Sequence, residues 1–473
     1  MRRRAPAWRA AALAIVAWAS VGAADPARPA GAFTYRRIDV EETAARVTAL
    51  HAVPERAPPR WAADVSQESG AWPALDAPER PRFEGPIPFV IAPTEAGEPF
   101  YAHNHDPSVT WLPNGDLLAV WYSTPRETDP RLTILASRLR RGSRQWDPSS
   151  EFLKAADHNM HAPSVYLDKQ GTLFHFNAMA PRGAASYARL CLLVRTSRDN
   201  GATWTPPRAV APEFGARHQV ISGTFETRGG LLVQPCDAVS AAEGGTALWL
   251  SPDAGVSWHD PGAGRVAPAF RVDQKGDGTI AGIHAGVVER ADGTLMALGR
   301  GNAIGGFMPL SLSADQGDTW TYRASPFPPI GAGQRLVLRR LREGALLLVS
   351  FTSDVIGHPT AHGMHLTVRD GREAEGFGMF AALSFDDGAT WPVRRLVAPP
   401  DGEYDGGAWT GRFRASATQA EPGGYLAATQ SPDGMIHLIS SRLYYRLNVA
   451  WLTEFYRGPV HWRAAAGAPR TFQ

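Results

Sequence analysis

Four segments of this chain share one spelling: SRDNGATW from Ser197 to Trp204, SPDAGVSW from Ser251 to Trp258, SADQGDTW from Ser313 to Trp320, and SFDDGATW from Ser384 to Trp391. The pattern S-x-D-x-G-x-[ST]-W returns at intervals of 54, 62 and 71 residues, so one structural unit recurs with loops of changing length. Its chemistry is that of a tight turn between two strands. The aspartate (Asp199, Asp253, Asp315, Asp386) accepts backbone N–H groups, the glycine (Gly201, Gly255, Gly317, Gly388) permits positive φ, and the tryptophan buries a large ring. These aspartates are therefore expected to be structural. A degenerate copy, Ser137 to Trp146, has lost the aspartate and gained two residues.

A second pattern, strand, glycine turn, strand, precedes each octet. It is clearest from His105 (HDPSVTWLPNGDLLAVWYS) and His161 (HAPSVYLDKQGTLFHF), with weaker relatives starting at Ser222, His284, Arg335 and Tyr425. Six units between about residues 100 and 460 predict an all-β, six-bladed β-propeller, each blade having four antiparallel strands. Residues 25–100, rich in Pro and Ala, are expected to form an extension that lends a strand to close the ring, and a larger contribution would make seven blades. The propeller is assigned to 101–460 and a tail to 461–473. The 47 glycines, 39 prolines and 15 tryptophans suit such a turn-rich chain.

The start, MRRRAPAWRAAALAIVAWASVGAADP, has a basic end, an apolar stretch from Ala10 to about Val21, and small residues before Asp25. It reads as an export signal over residues 1–24, predicting a secreted or periplasmic protein with no membrane attachment once it is cleaved. Removing it takes four arginines, so 48 basic residues become 44 against 46 acidic ones. No basic run survives to bind nucleic acid. The only cysteines, Cys191 and Cys236, exclude a disulfide scaffold and are either buried thiols or a single bridge between neighbouring blades.

Alternation of strand direction puts the octet turns on one face and the starts of inner strands on the other. Those starts converge on the axis, where a propeller's ligand is expected. They carry His103, His105, His158, His161, Arg217, His218, His284, Arg335 and Tyr425, and the facing loops add Arg126, Asp129, Tyr187, Arg189, Arg300, His358, His362, His365 and Arg442. Histidine exchanges protons near neutral pH, arginine holds a carboxylate in a fork, and tyrosine serves as acid, base or nucleophile. The set suits an acidic sugar in an oligo- or polysaccharide. No cofactor is expected. A metal on His358, His362 and His365 is the alternative, although their spacing matches no strong ligand motif.

The octets and the strand pattern resemble the sialidase superfamily, the propellers built on Asp-box or bacterial neuraminidase repeats, over roughly residues 100 to 460. The resemblance implies a carboxylate held by three arginines, a tyrosine nucleophile assisted by a glutamate, and an aspartate that handles protons. In this chain the first arginine falls on His105, ahead of Asp106-Pro107-Ser108, and the glutamate falls on His284, ahead of Val287-Val288-Glu289. Arg300 is retained, a further arginine is replaced by Gly376, and Tyr425 before Pro432-Asp433-Gly434 matches the nucleophile. Asp129 matches the proton-handling aspartate. With two of three arginines and the glutamate replaced, the site is also similar to ulvan lyases and related propeller enzymes acting on uronic-acid polysaccharides. Three functions follow as expectations. The first is elimination at an acidic sugar, with Arg300 neutralising the carboxylate, His105 or His161 taking the proton and Tyr425 as donor or partner base. The others are exo-sialidase hydrolysis through Tyr425 and noncatalytic glycan binding. His103, Arg126, Asp129, His218 and Arg335 are expected to join Arg300 in binding substrate, and His284 to act with the catalytic group.

Overall fold

In a computed structural model, residues 33–34, 58–72, 80–184, 187–211, 213–238, 244–356 and 361–460 are described. The proposed export signal, the 461–473 tail and His358 lie outside them. Six sheets of four or more strands, built mainly on antiparallel pairs, stand around one axis, so the all-β six-bladed propeller is observed, and the described residues form no seventh blade. The first blade runs outward through His103–Trp111, Leu117–Thr124, Thr133–Leu139 and Ser150–Leu153. The inner strands of the next five include Pro163–Leu167, Phe225–Glu226, Ile283–Glu289, Val337–Arg340 and Ala427–Gln430. The sixth blade is finished from the other end of the chain, where Phe83–Pro88 pairs with Leu443–Leu447 as its outermost strand. Asn448 ties this closure together: its amide donates to the Arg80 carbonyl (2.8 Å), and its Oδ1 accepts from the backbone N–H of Arg82 (3.0 Å).

The octets fold as one device repeated four times. In each, the serine hydroxyl donates to the aspartate (2.7, 2.9, 2.8 and 2.8 Å in chain order). The same aspartate accepts the backbone N–H four residues on (2.9, 2.8, 2.9 and 2.8 Å). The glycines sit at φ +76, +87, +97 and +86, where a side chain would be strained. All four carboxylates are consumed by their own turns. In the degenerate copy Arg138 is wholly buried and reaches Asp116 (3.4 Å) and the carbonyls of Trp61 and Asn200.

Apolar side chains of facing sheets fill the spaces between blades, with Trp121, Trp249, Trp258 and Trp320 among the largest fully buried. Cys191 and Cys236 are both free and buried, which corrects the bridge alternative. Burial pushes the Cys191 thiol up to about 12, so neither cysteine competes as a nucleophile.

Glu421, between the fifth and sixth blades, is fully buried and accepts a hydrogen bond from Tyr445 Oη at 2.7 Å. Burial raises its carboxyl from 4.5 to about 8. A raised folded-state value means the neutral acid is favoured by folding, so its contribution is complete below about 4.5 and lost as pH climbs through 8. The expected result is a urea midpoint that falls across that window in the native chain and stays flatter in Glu421→Gln.

Candidate active site

Three inner strands begin with a deliberate kink. Asp106 (φ +55), Ala162 (φ +57) and His284 (φ +52) occupy the left-handed region, and the pairing register shifts between His105 and Ser108 and between Ile283 and Gly286. Such bulges re-aim side chains near sites. Here they accompany the turning of His105, His161 and His284 into one cluster around Tyr425.

Tyr425 is the centre. Its Oη accepts a hydrogen bond from Arg300 Nη1 at 2.8 Å and lies 2.9 Å from His284 Nε2. His284 Nδ1 in turn sits 2.9 Å from Asp237 Oδ2, and the His284 backbone N–H donates to Asp237 Oδ1 at 2.6 Å. Nδ1 and Oδ2 are close without the alignment of a hydrogen bond, and the carboxylate's charge favours the tautomer that carries its proton on Nδ1, which leaves Nε2 as the acceptor for the phenol. Burial, helped by the charge of Arg300 and opposed by Asp237, lowers His284 to about 4, so the ring is neutral at physiological pH. Burial raises the Tyr425 phenol to about 12, against the pull of Arg300.

His105 packs its ring 3.8 Å from that of Tyr425, and its Nδ1 lies 2.9 Å from Ser441 Oγ. Its Nε2 is buried without a partner, as is His161 Nδ1. Burial lowers both imidazoles, so both are neutral acceptors.

Beside them stands an acid the sequence reading passed over, Glu127. It takes hydrogen bonds from Tyr122 Oη (2.9 Å), Tyr187 Oη (2.8 Å) and Trp409 Nε1 (3.3 Å), and it pairs with His103 Nε2 at 3.3 Å. Burial alone would raise this carboxyl, but the hydrogen bonds from His103 and Tyr187 outweigh it and hold Glu127 well below the ordinary carboxylate range.

The cluster thus holds His103, His105, His161, His284, Arg300 and Tyr425, drawn from four blades. Other candidates sit elsewhere or are already engaged. Asp129, matched above to the proton-handling aspartate, accepts two hydrogen bonds from its neighbour Arg131 (2.9 and 2.8 Å). Arg335 is wholly buried, bonded to Asp106 and to the carbonyls of Pro107 and Leu426, and passes 5.1 Å from the centre of the Tyr425 ring. It supports the tyrosine instead of facing substrate. His218 packs on Trp249, with 5.1 Å between ring centres. Arg217 is forked onto Asp260, and Arg126 is exposed on the loop that carries Glu127. His365 is exposed beside Glu373, and among the described residues no group of three or more His, Cys, Asp or Glu is arranged to hold a metal.

Two missed residues carried some signal. Glu127 lies between Arg126 and Asp129, both of which the loop rule selected. Asp237 ends the second strand of its blade, Leu232–Asp237, and the alternation rule places that end on the site face.

A six-bladed ring with Asp-box turns and a Tyr, His and Arg cluster at the opposite end of the axis defines a sialidase-like, carbohydrate-active propeller. The chain belongs to the family of BNR repeat-like domains, which matches residues 115–438. It is 25% identical over 377 residues to a sialidase of Micromonospora viridifaciens, covering 73% of this chain and 51% of that protein. The chain therefore spans about half the length of that relative. Among solved structures it resembles NanB sialidase from Streptococcus pneumoniae (TM-score 0.52, 12% identity, 78% of this chain and 71% of that one). A leech intramolecular trans-sialidase is similar to the same degree (TM-score 0.51, 14% identity, 76% and 70%).

Proposed function

We propose that this propeller cleaves a glycan by hydrolysis at an acidic sugar whose reacting carbon bears the carboxylate, with Tyr425 as the nucleophile. The observation that carries this reading is the line Arg300, Tyr425, His284, Asp237, an activated hydroxyl of the kind nucleophilic catalysis needs. Arg300 spends one nitrogen on Tyr425 Oη and the Gln334 carbonyl, which leaves the rest of its fork for a substrate carboxylate. A carboxylate held there brings the carbon attached to it beside the phenol.

In the first step Tyr425 Oη bonds to the anomeric carbon and its proton passes to His284 Nε2, where Asp237 stabilises the imidazolium. The bond to the leaving oxygen breaks, and that oxygen takes a proton from His103, oriented by Glu127. Water then attacks the glycosyl-tyrosine, returning a proton to His103, and Tyr425 leaves with the proton held by His284. The resemblance to a sialidase supports the choice of an acidic sugar, and the basic, apolar N-terminus supports action outside the cytoplasm.

Elimination is the second reading, favoured by the unpartnered nitrogens of His105 and His161, either of which would accept a proton next to a neutralised carboxylate. Purified protein incubated with sialosides and with uronic-acid polymers separates the two. Released acidic sugar without new ultraviolet absorbance supports hydrolysis, whereas the absorbance of an unsaturated uronate supports elimination. No product from any acidic glycan would discard both and leave binding.

A further inference from the structure

Trp409 stands at the mouth of the Tyr425 cluster with 53% of its surface exposed. A single apolar residue in water needs no explanation, but the fold around this one holds it there at a cost. The hairpin of Gly402–Asp405 and Arg412–Ala415, inserted between the fifth and sixth blades, carries Trp409 at its tip. Three backbone hydrogen bonds close that tip: Gly406 N–H to the Gly411 carbonyl (2.9 Å), Gly411 N–H to that of Gly407 (2.8 Å), and Thr410 N–H to that of Ala408 (2.8 Å). Asp405 anchors the base, accepting from the Gly407 N–H (3.0 Å) and from Arg442 Nη1 (2.6 Å). Trp409 itself sits at φ +66, which is unfavourable for a bulky side chain. Gly333 leaves room for it, since a Cβ there would come within 2.7 Å of the Trp409 Cβ. The Gly333 carbonyl accepts the N–H of Gly424, the residue before Tyr425, at 2.9 Å, so indole and phenol are placed by the same stretch of backbone.

The neighbours of the indole locate it relative to the reacting atoms. It meets the His103 ring edge-on, 6.2 Å between centres with the planes at 86°, and its centre lies 6.5 Å from that of His105. Its Nε1–H donates to Glu127 Oε1 at 3.3 Å. Trp409 therefore flanks the acid assigned above to the leaving oxygen, and with its N–H spent on Glu127 it keeps ring area open for a ligand. The chemistry such a surface takes is that of a pyranose: an aromatic face is electron-rich, the C–H groups on one face of a sugar ring are weakly positive, and the hydroxyls around the sugar's rim stay in water. With the substrate carboxylate on Arg300 and the anomeric carbon at Tyr425, the glycosidic oxygen lies toward His103. The ring beyond that oxygen is the one that reaches Trp409.

On the hydrolytic reading above, we propose that Trp409 is a specificity-determining residue that stacks the pyranose on the leaving-group side of the scissile bond. The enzyme then selects an acidic sugar linked to a further sugar ring over one linked to a simple alcohol.

The test measures binding to the Tyr425→Phe chain, which holds substrate without turning it over, with 3′-sialyllactose and methyl α-sialoside as probes. The expected result is a dissociation constant roughly tenfold lower for sialyllactose. Adding Trp409→Ala should erase that difference. Adding Trp409→Phe should keep most of it, because phenylalanine preserves a stacking face and deletes only the N–H to Glu127. Equal affinities for the two probes, or a preference that survives Trp409→Ala, would overturn the proposal. So would a preference lost equally in Trp409→Phe, since the indole would then act only through Glu127. Release of the acidic sugar by the native chain leaves the hydrolytic reading standing in each of those cases, whereas neither binding nor release with either sialoside removes that reading and this inference with it.

Discussion

Tyr425→Phe should lower kcat/KM on a cleavable acidic glycan by roughly 10³-fold or more, while leaving the unfolding midpoint nearly unchanged. The substitution removes one oxygen and keeps the ring, which is what packs 3.8 Å from His105 and 5.1 Å from the Arg335 guanidinium. Arg300 Nη1 retains the Gln334 carbonyl at 3.1 Å, so the buried His284 Nε2 is the group that loses its partner, a cost of about 1 kcal/mol that is small beside the loss of turnover. The whole loss should therefore appear in turnover and not in KM, because the hydroxyl acts on the reacting carbon and not on the groups that hold the sugar. The pH profile supplies an independent check. Tyr425 can pass its proton to His284 only while that ring is neutral, so kcat/KM should climb as pH rises through about 4 to a plateau, and fall again once His103 no longer carries the proton it gives to the leaving oxygen. Asp237→Asn should depress the plateau strongly, since the amide no longer fixes the ring's tautomer or offsets the imidazolium. A Tyr425→Phe protein with unimpaired turnover would remove the nucleophile from the mechanism.

The fold was legible because its constraint is local and repeated: within eight residues each octet supplies serine, aspartate, glycine and tryptophan for a self-contained turn. Chain direction then carried His105, His161, His284, Arg300 and Tyr425 to one end of one axis. What could not be read is which polar groups are already satisfied. Arg335 and Asp129 fit the positional rule as well as Arg300 does. Arg335 is neutralised by an aspartate 229 residues away in sequence, and Asp129 by an arginine two residues on. The left-handed kinks at Asp106, Ala162 and His284 carry no glycine to announce them. Cys191 and Cys236 occupy different blades, and their separation depends on strand register that spacing alone does not set.

The second large effect concerns the frame beneath Tyr425. Asp106→Asn should destabilise the protein by roughly 3–5 kcal/mol in urea unfolding, because it leaves the wholly buried Arg335 without its counter-charge. Asparagine keeps the size of the side chain and tolerates φ +55, so the change isolates charge from shape. Arg335→Met should cost less at mildly acidic pH. Burial already pushes the Asp106 carboxyl upward, so once unpaired it can take a proton and become neutral, an escape that the guanidinium lacks. The sign follows: a carboxyl favoured in its neutral form contributes stability that is lost as pH rises, so Arg335→Met should weaken toward neutral pH, whereas Asp106→Asn should show no such slope from this pair. Combining Asp106→Asn with Arg335→Met should then recover much of the loss, since neither charge remains to be buried alone. Equal, additive losses would mean that the pair acts through packing and not through charge. In that case the support under the Tyr425 ring would come from the strands themselves.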